Sequence, residues 1–168
     1  MLLTREADYA VRCVLEVARA GHISASQVAA IQGISPTFLG KIVQVLGRAG
    51  ILATRRGVGG GIALAVPPES ITLLQVIEAV EGPLALNDCL ASPPQCSMIA
   101  TCPAYPYLCH AQQALRDALR ITFDRLLDPD ATNDAATTHP NGQSKGDSLA
   151  SFGSDGERSP ARRGAHTR

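Results

Sequence analysis

The chain has 168 residues with 15 Lys or Arg and 15 Asp or Glu, and a net charge of zero does not by itself indicate a nucleic-acid partner. The charges are unevenly distributed: residues 5–66 hold seven basic and three acidic side chains, whereas residues 67–127 hold three basic and six acidic ones. This asymmetry fits a module that meets a polyanion with one end. No apolar run is long enough to span a bilayer, and the charged first residues lack the apolar stretch of a signal peptide. We therefore expect a cytoplasmic protein without a membrane partner.

Three helices are predicted first along the chain. The first covers about residues 4–20, and the second, over 24–33, opens with a serine-to-glutamine capping box. The third covers 35–50 and begins with Ser35-Pro36, an N-cap followed by proline at the first helical position. Two short helices joined by a tight turn are typical of a helix-turn-helix.

A β-hairpin and a fourth helix are predicted next. Residues 51–56 and 62–66 have the composition of strands, and the glycine-rich stretch 57–61 forms the turn between them. A nucleotide phosphate loop is disfavoured here, because such a loop is followed by Lys-Ser/Thr and a helix. A capping box opens a helix over 72–82. Residues 1–82 therefore predict a winged helix-turn-helix domain, mainly α-helical with a small β-hairpin wing.

This arrangement predicts double-stranded DNA as a partner. An α-helix fits the major groove and reaches base edges with its N-terminal residues, while arginines of a hairpin enter a minor groove or contact phosphates. Glycines let the hairpin backbone approach the sugar–phosphate chain closely. Ser35 also suits a purely capping role, and the hairpin arginines taken alone would be ordinary solvated charges. The candidate DNA-binding residues are Ser35, Thr37, Lys41, Arg55, Arg56 and Gly59.

Residues 83–109 form a cysteine-rich segment that is predicted to be a loop because it contains several prolines. Its pattern is Cys89-x6-Cys96-x5-Cys102-x6-Cys109, whereas the fifth cysteine, Cys13, lies among apolar neighbours and is predicted to be buried. Clustered cysteines in a reducing compartment indicate metal or redox chemistry, and thiolates suit zinc or iron–sulfur clusters. Since the close C-x2-C pairs common in zinc sites are absent, the spacing favours an iron–sulfur cluster over zinc and over metal-free redox thiols.

The identity of the fourth ligand is open. Either all four loop cysteines bind the cluster, or three do so together with a carboxylate or imidazole. Asp8 of the partner subunit is the first candidate, although its carboxylate also suits the N-terminus of its own helix. His110 is a weaker candidate. A last helix is predicted over 110–127, and the polar residues 128–168 are predicted to be a disordered tail.

Several motifs together resemble a known family. They are the opening Thr4-Arg5-Glu6-Ala7-Asp8-Tyr9-Ala10-Val11-Arg12, the third helix with Ser35-Pro36-Thr37-Phe38-Leu39 and Leu46-x3-Gly50-Ile51-Leu52, the wing Arg56-Gly57-x-Gly59-Gly60-Gly61, and Ile71-Thr72-Leu73-x2-Val76-Ile77-x-Ala79-Val80-Glu81-Gly82. With the cysteine loop after them, these motifs resemble the Rrf family of winged-helix regulators, which includes IscR, NsrR and RirA. The resemblance covers residues 1–127.

The resemblance implies a homodimer in which the helix predicted over 110–127 crosses to the partner and serves as the dimerisation helix. It implies a [2Fe–2S] or [4Fe–4S] cluster on three cysteines and a variable fourth ligand, near the partner's DNA-binding domain. In nitric-oxide-sensing members an aspartate of the first helix is that ligand, and Asp8 is in the similar place. This chain departs from the family pattern because its loop has four cysteines rather than three.

The resulting prediction is a transcriptional regulator or repressor, not an enzyme. Its affinity for a palindromic operator would depend on a cluster that senses iron or cluster status, redox state or nitric oxide. A metallohydrolase is disfavoured because thiolates would saturate the site and no general base is apparent near the loop. The alternative is a small iron–sulfur or zinc protein that acts in electron transfer or cluster assembly without specific DNA binding.

Overall fold

A computed structural model describes residues 4–55, 57 and 60–128, and these residues belong to one compact unit. Two 3₁₀ turns, Pro68–Ser70 and Asp88–Leu90, accompany the helices and strands. The mainly helical fold with a small β-sheet wing is confirmed. The elements in chain order are α1 (Arg5–Ala20), β1 (His22–Ile23), α2 (Ala25–Gln32), α3 (Pro36–Arg48), β2 (Leu52–Arg55), β3 (Gly61–Leu64), α4 (Leu73–Glu81), α5 (Tyr105–Ala118) and α6 (Phe123–Leu127).

The first four helices begin where the capping residues predicted them. The first backbone N–H groups of a helix have no partner inside it, and a side-chain oxygen at the N-cap accepts from one of them. Ser35 does this for α3 by accepting from Phe38 N at 3.2 Å. The capping boxes predicted for α2 and α4 are both present, with Ser24 and Thr72 as the N-caps.

The sheet has three antiparallel strands in the order β1-β3-β2. The hairpin of β2 and β3 was predicted, whereas β1 was not, because two residues are too few to show an alternating pattern. His22 of β1 pairs with Ala63, and Arg55 at the end of β2 pairs with Gly61. The sheet thus ties the segment between α1 and α2 to the base of the wing.

One hydrophobic core lies between α1, α3, α4 and the sheet. α1 and α3 each bury one face, as their apolar spacing predicted. Phe123 of α6 is fully buried in the same core, so the end of the described chain packs against its beginning. The largest fully buried side chains are Phe123, Leu39, Ile42, Leu46, Ile62, Ile71 and Ile77.

The prediction of a single helix over 110–127 is wrong, because the structure has two helices, α5 and α6, with a break at residues 119–122. The break supplies acceptors to the start of α4, whose first N–H groups have no partner within the helix. Leu73 N donates to the carbonyl of Ile121 at 2.9 Å, and Leu74 N donates to that of Leu119 at 2.7 Å. Thr122 also forms a β-bridge with Thr72. These bonds hold the chain in an extended turn that a continuous helix would not allow.

The loop predicted over 83–109 is also too long. α5 begins at Tyr105, so Cys109 and His110 lie in a helix. Pro106 is compatible with this because it occupies the first turn, where the missing N–H has no helical partner to lose. The tail predicted for 128–168 lies outside the described residues apart from Asp128. None of the helices that the structure describes is long and apolar enough to cross a membrane.

Candidate nucleic-acid interface and cysteine site

One face of α3 is exposed and polar, while the other packs into the core. Ser35 lies at the N-cap, and Thr37 and Lys41 are exposed one turn apart on the helix. Gln44 and Arg48 continue the same face at helical spacing and are also exposed. Gln44 and Arg48 were not predicted, although the helical period that identified the buried face also identifies them.

The wing lies beside α3 and contributes Arg55. Arg55 is exposed at the end of β2, and it shares a groove of about 350 Å³ with Gly40 of α3 and Ser26 of α2. Gly57 adopts φ +103°, a conformation that favours glycine, and its carbonyl accepts from Gly60 N at 2.8 Å to form the turn. Arg56 and Gly59, the other candidates on the wing, lie outside the described residues.

The base of the wing is in close contact with His22. A Cβ placed on Gly61 would lie 2.6 Å from His22 Cε1 and 2.8 Å from the carbonyl oxygen of Ile23. Glycine is therefore required here by a close approach between β3 and β1. His22 is exposed and borders a second groove with Arg55. His22 was not predicted, because its contact with the wing depends on the pairing of β1 with β3.

Cys13 is separate from the other cysteines. It is fully buried in α1, as predicted, and burial raises the pKa of its thiol to about 12. A thiol with this pKa stays protonated near neutral pH and is a poor metal ligand and nucleophile. Its role is packing.

The loop cysteines are brought together by backbone contacts. Gln95 N donates to the carbonyl of Asp88 at 3.0 Å, which brings the neighbours Cys96 and Cys89 to the same part of the loop. The turn Asp88–Leu90 contacts α5, the helix that carries Cys109. The carbonyl of Cys102 accepts from the N–H of Tyr105 at the start of that helix.

The electrostatics of the loop reflect this grouping. The pKa of the Cys89 thiol is raised, first by burial and then by the neighbouring thiols of Cys96, Cys102 and Cys109. The pKa of the Tyr105 phenol is raised mainly by its hydrogen bond with the Cys109 side chain. All five cysteines are free thiols. Four soft donors, three in the loop and one on α5, suit a thiolate-bound metal centre.

The geometry is not that of a preformed site for a single ion. Among residues 4–55, 57 and 60–128, no three His, Cys, Asp or Glu side chains are close enough to hold one metal ion. A tetrahedral zinc site would require its four sulfurs at about 2.3 Å from a common centre. Four cysteine thiolates are the donors that iron–sulfur clusters take from proteins, and zinc accepts the same donors.

Asp8 is engaged elsewhere within its own chain. Its carboxylate binds Arg12 through two contacts, at 3.0 Å to Nη2 and 3.2 Å to Nε, and half of its side chain is exposed. His110 is exposed near the start of α5. The structure thus packs the turn that holds Cys89 against the helix that holds Cys109, and it pairs Asp8 with a cation on the solvent face of α1.

The helix pair α2–α3, the three-stranded sheet and α1 together define a winged helix-turn-helix protein. The profile of the Rrf2 family, described as iron-dependent transcriptional regulators, matches residues 3–129. The chain therefore belongs to the Rrf2 family of transcriptional regulators. The relatives it matches are transcriptional regulators rather than enzymes.

Two curated relatives and one solved structure illustrate the match. The chain is 35% identical over 129 residues to Protein aau3 of Rhizobium meliloti (strain 1021), covering 75% of this chain and 79% of that protein. It is 31% identical over 131 residues to the regulator NsrR of Bacillus subtilis (strain 168), with coverages of 76% and 85%. The structure of CymR (YrzC), the global cysteine regulator of B. subtilis, superposes with a TM-score of 0.63 at 23% identity, over 76% of this chain and 96% of that one.

Proposed function

We propose that this protein is a cytoplasmic homodimeric regulator whose affinity for a palindromic operator depends on an iron–sulfur cluster bound by the cysteine loop. The observation that carries the proposal is the contact between the turn that holds Cys89 and α5, which holds Cys109, in a chain that also presents a winged helix-turn-helix. The signal would be iron or cluster status, redox state or nitric oxide.

The proposed DNA contacts combine α3 with the wing. Thr37, Lys41 and Gln44 lie on one exposed face, and amide, hydroxyl and ammonium groups are the side chains that read base edges in a major groove. Arg55 borders the groove beside this face, where it would contact a phosphate or enter the adjacent minor groove. Arg56 and Gly59 remain part of the proposed wing contact on the basis of the sequence.

The proposed dimer rests on α5. This helix has 14 residues and none of them is buried within the chain, which is unusual for an amphipathic helix in a globular protein. Leu108 and Leu115 lie two turns apart on it and are only half-buried, and Tyr107 is 79% exposed. Packing α5 against its symmetry copy would cover this surface. A two-fold axis would also match a palindromic operator.

The proposed ligands of the cluster are Cys89, Cys96, Cys102 and Cys109, with Asp8 of the partner subunit as the alternative fourth ligand. The pairing of Asp8 with Arg12 weighs against the alternative, because that carboxylate would have to leave a two-contact ion pair. When bound, an iron–sulfur cluster supplies a redox-active and oxidant-sensitive centre. A [2Fe–2S] and a [4Fe–4S] form are both compatible with four thiolates, and zinc is the less favoured occupant.

The chain's own residues connect the loop to DNA binding. Cys109 and the half-buried leucines lie on the same helix, so a change in the order of the loop would be felt where the two chains meet. The spacing of the two α3 helices depends on that interface, and a small change in spacing alters operator affinity. Regulation would therefore follow from a shift in the packing of α5.

The test is anaerobic purification with visible spectra, iron and sulfide analysis, and operator binding by fluorescence anisotropy. We expect Cys102→Ala to lose iron and sulfide, while the matched variant Cys13→Ala and the variant Asp8→Asn keep both. Arg55→Ala should weaken operator binding about 10-fold without loss of the cluster, whereas Arg19→Ala on α1 should not. A colourless wild type without iron or sulfide would refute the sensing part. A cluster without preference among duplexes would favour an electron-transfer or assembly protein.

A further inference from the structure

A carboxylate outside the cysteine set joins the start of the cysteine loop to two helices. Glu78 lies on α4, and one oxygen, Oε1, accepts from Leu84 N at 2.9 Å and from Arg116 Nη1 at 2.6 Å. The side chains of Glu78 and Arg116 are partly buried, with 25% and 29% of their surface exposed. A charged acceptor in a partly buried place gives stronger hydrogen bonds than an exposed one.

A second contact holds the same stretch of chain. The side-chain oxygen of Gln112, one turn from Arg116 on α5, accepts from Leu86 N at 3.1 Å. Leu84 itself is buried. The residues that precede Cys89 are therefore held between α4 and α5, and Cys89 is the buried member of the four loop thiols.

Glu78 is also close to the DNA-reading part of the fold. α4 packs against both α1 and α3, and Val76 and Ile77, the two residues before Glu78, are buried. The loop, α5 and α3 are thus connected through α4. The ion pair Asp117–Arg120, by contrast, is exposed and lies within one turn at the end of α5, so it does not connect the loop to the core.

We infer that Glu78 is a positioning residue that sets the conformation of the cysteine loop and couples its state to α3 of the same chain. The regulatory part of this inference rests on the proposed function, whereas the positioning part does not. Removal of the carboxylate leaves a backbone N–H and a guanidinium without their partner, which loosens the loop entry while the core is intact.

The positioning is tested first in the protein without a cluster, by mass spectrometry of maleimide labelling at each cysteine. Glu78→Ala should increase the labelling rate of Cys89 about 10-fold relative to Cys96. Glu78→Gln, which retains an acceptor for Leu84 N but no charge, should give an intermediate rate. The control Asp117→Ala removes an exposed carboxylate from an arginine pair and should change nothing. Equal Cys89 rates in Glu78→Ala and Asp117→Ala would overturn the inference, and so would failure of Glu78→Gln to recover any protection.

The coupling is tested by the ratio of operator affinities with and without the cluster. Glu78→Gln should reduce this ratio about 10-fold, with the visible spectrum and the iron content unchanged. An unchanged ratio would overturn the coupling. If the wild type binds no cluster, the proposed function fails, and the labelling experiment still decides whether Glu78 positions the loop.

Discussion

Substitution of Gly61 by alanine tests whether the contact between β1 and the wing is as close as the structure has it. The added Cβ would lie 2.6 Å from Cε1 and 2.7 Å from Nε2 of His22, and 2.8 Å from the carbonyl oxygen of Ile23. The imidazole is exposed and can rotate away. The carbonyl belongs to a strand paired with β3, and it can retreat only if that pairing is weakened.

The expected loss of unfolding free energy is about 1–3 kcal/mol, the usual cost of inserting a methyl group into a closely packed place. The double variant His22→Ala/Gly61→Ala should recover only part of this, because the contact with the Ile23 carbonyl remains. Since Arg55 pairs with Gly61, displacement of β3 should also move the wing and weaken operator binding. The effect on stability does not depend on the proposed function.

Urea unfolding of the cluster-free protein, followed by circular dichroism at one protein concentration, measures the effect. Gly40→Ala is the matched control, because a Cβ there meets nothing within 4 Å and the residue lies inside α3. Alanine should stabilise that helix by about 0.5–1 kcal/mol. If the two variants unfold at the same urea concentration, the close approach between β1 and β3 is refuted.

Two further predictions concern buried residues. Phe123→Ala should lower the unfolding free energy by about 3–5 kcal/mol, because the ring is fully buried in the main core, and a loss below about 1 kcal/mol in the same urea assay would contradict the packing of α6. Cys13 should not react with a thiol reagent at pH 8 until the protein is unfolded, since its pKa of about 12 keeps it protonated and it is inaccessible. Titration of the native cluster-free protein should therefore count four thiols, of which Cys89 reacts slowest because it is buried, and reaction of a fifth thiol before unfolding would show that α1 opens readily.

Local signals made much of the fold predictable. The N-caps of α1 to α4 are serines and threonines whose side chains satisfy a backbone N–H, and this requirement is the same in any tertiary setting. The buried faces of α1 and α3 follow from apolar residues at helical spacing. The position of Cys13 followed from its neighbours in the same way.

Features that depend on long-range pairing were not predictable from local patterns. The break between α5 and α6 exists because the carbonyls of Leu119 and Ile121 accept from the start of α4, more than forty residues earlier in the chain. β1 exists because β3 returns beside it. The cysteine spacing indicated a thiolate site, but the part played by Glu78 depends on contacts with Leu84 and Arg116 that no motif encodes.

The four cysteines bear on where the sensing step takes place. A site that takes Asp8 from the partner would place the cluster across the dimer, and its loss would directly release one chain from the other. A site made of four thiols from one chain, three in the loop and one on α5, leaves Asp8 with Arg12 and requires a route within the chain to reach α3. Glu78 and Arg116 lie on such a route, between the loop and the helix that packs on α3. The iron content of Asp8→Asn and the operator affinity of Glu78→Gln therefore test the same choice. If Asp8→Asn loses its cluster, Glu78→Gln should change the ratio of operator affinities with and without the cluster only a little.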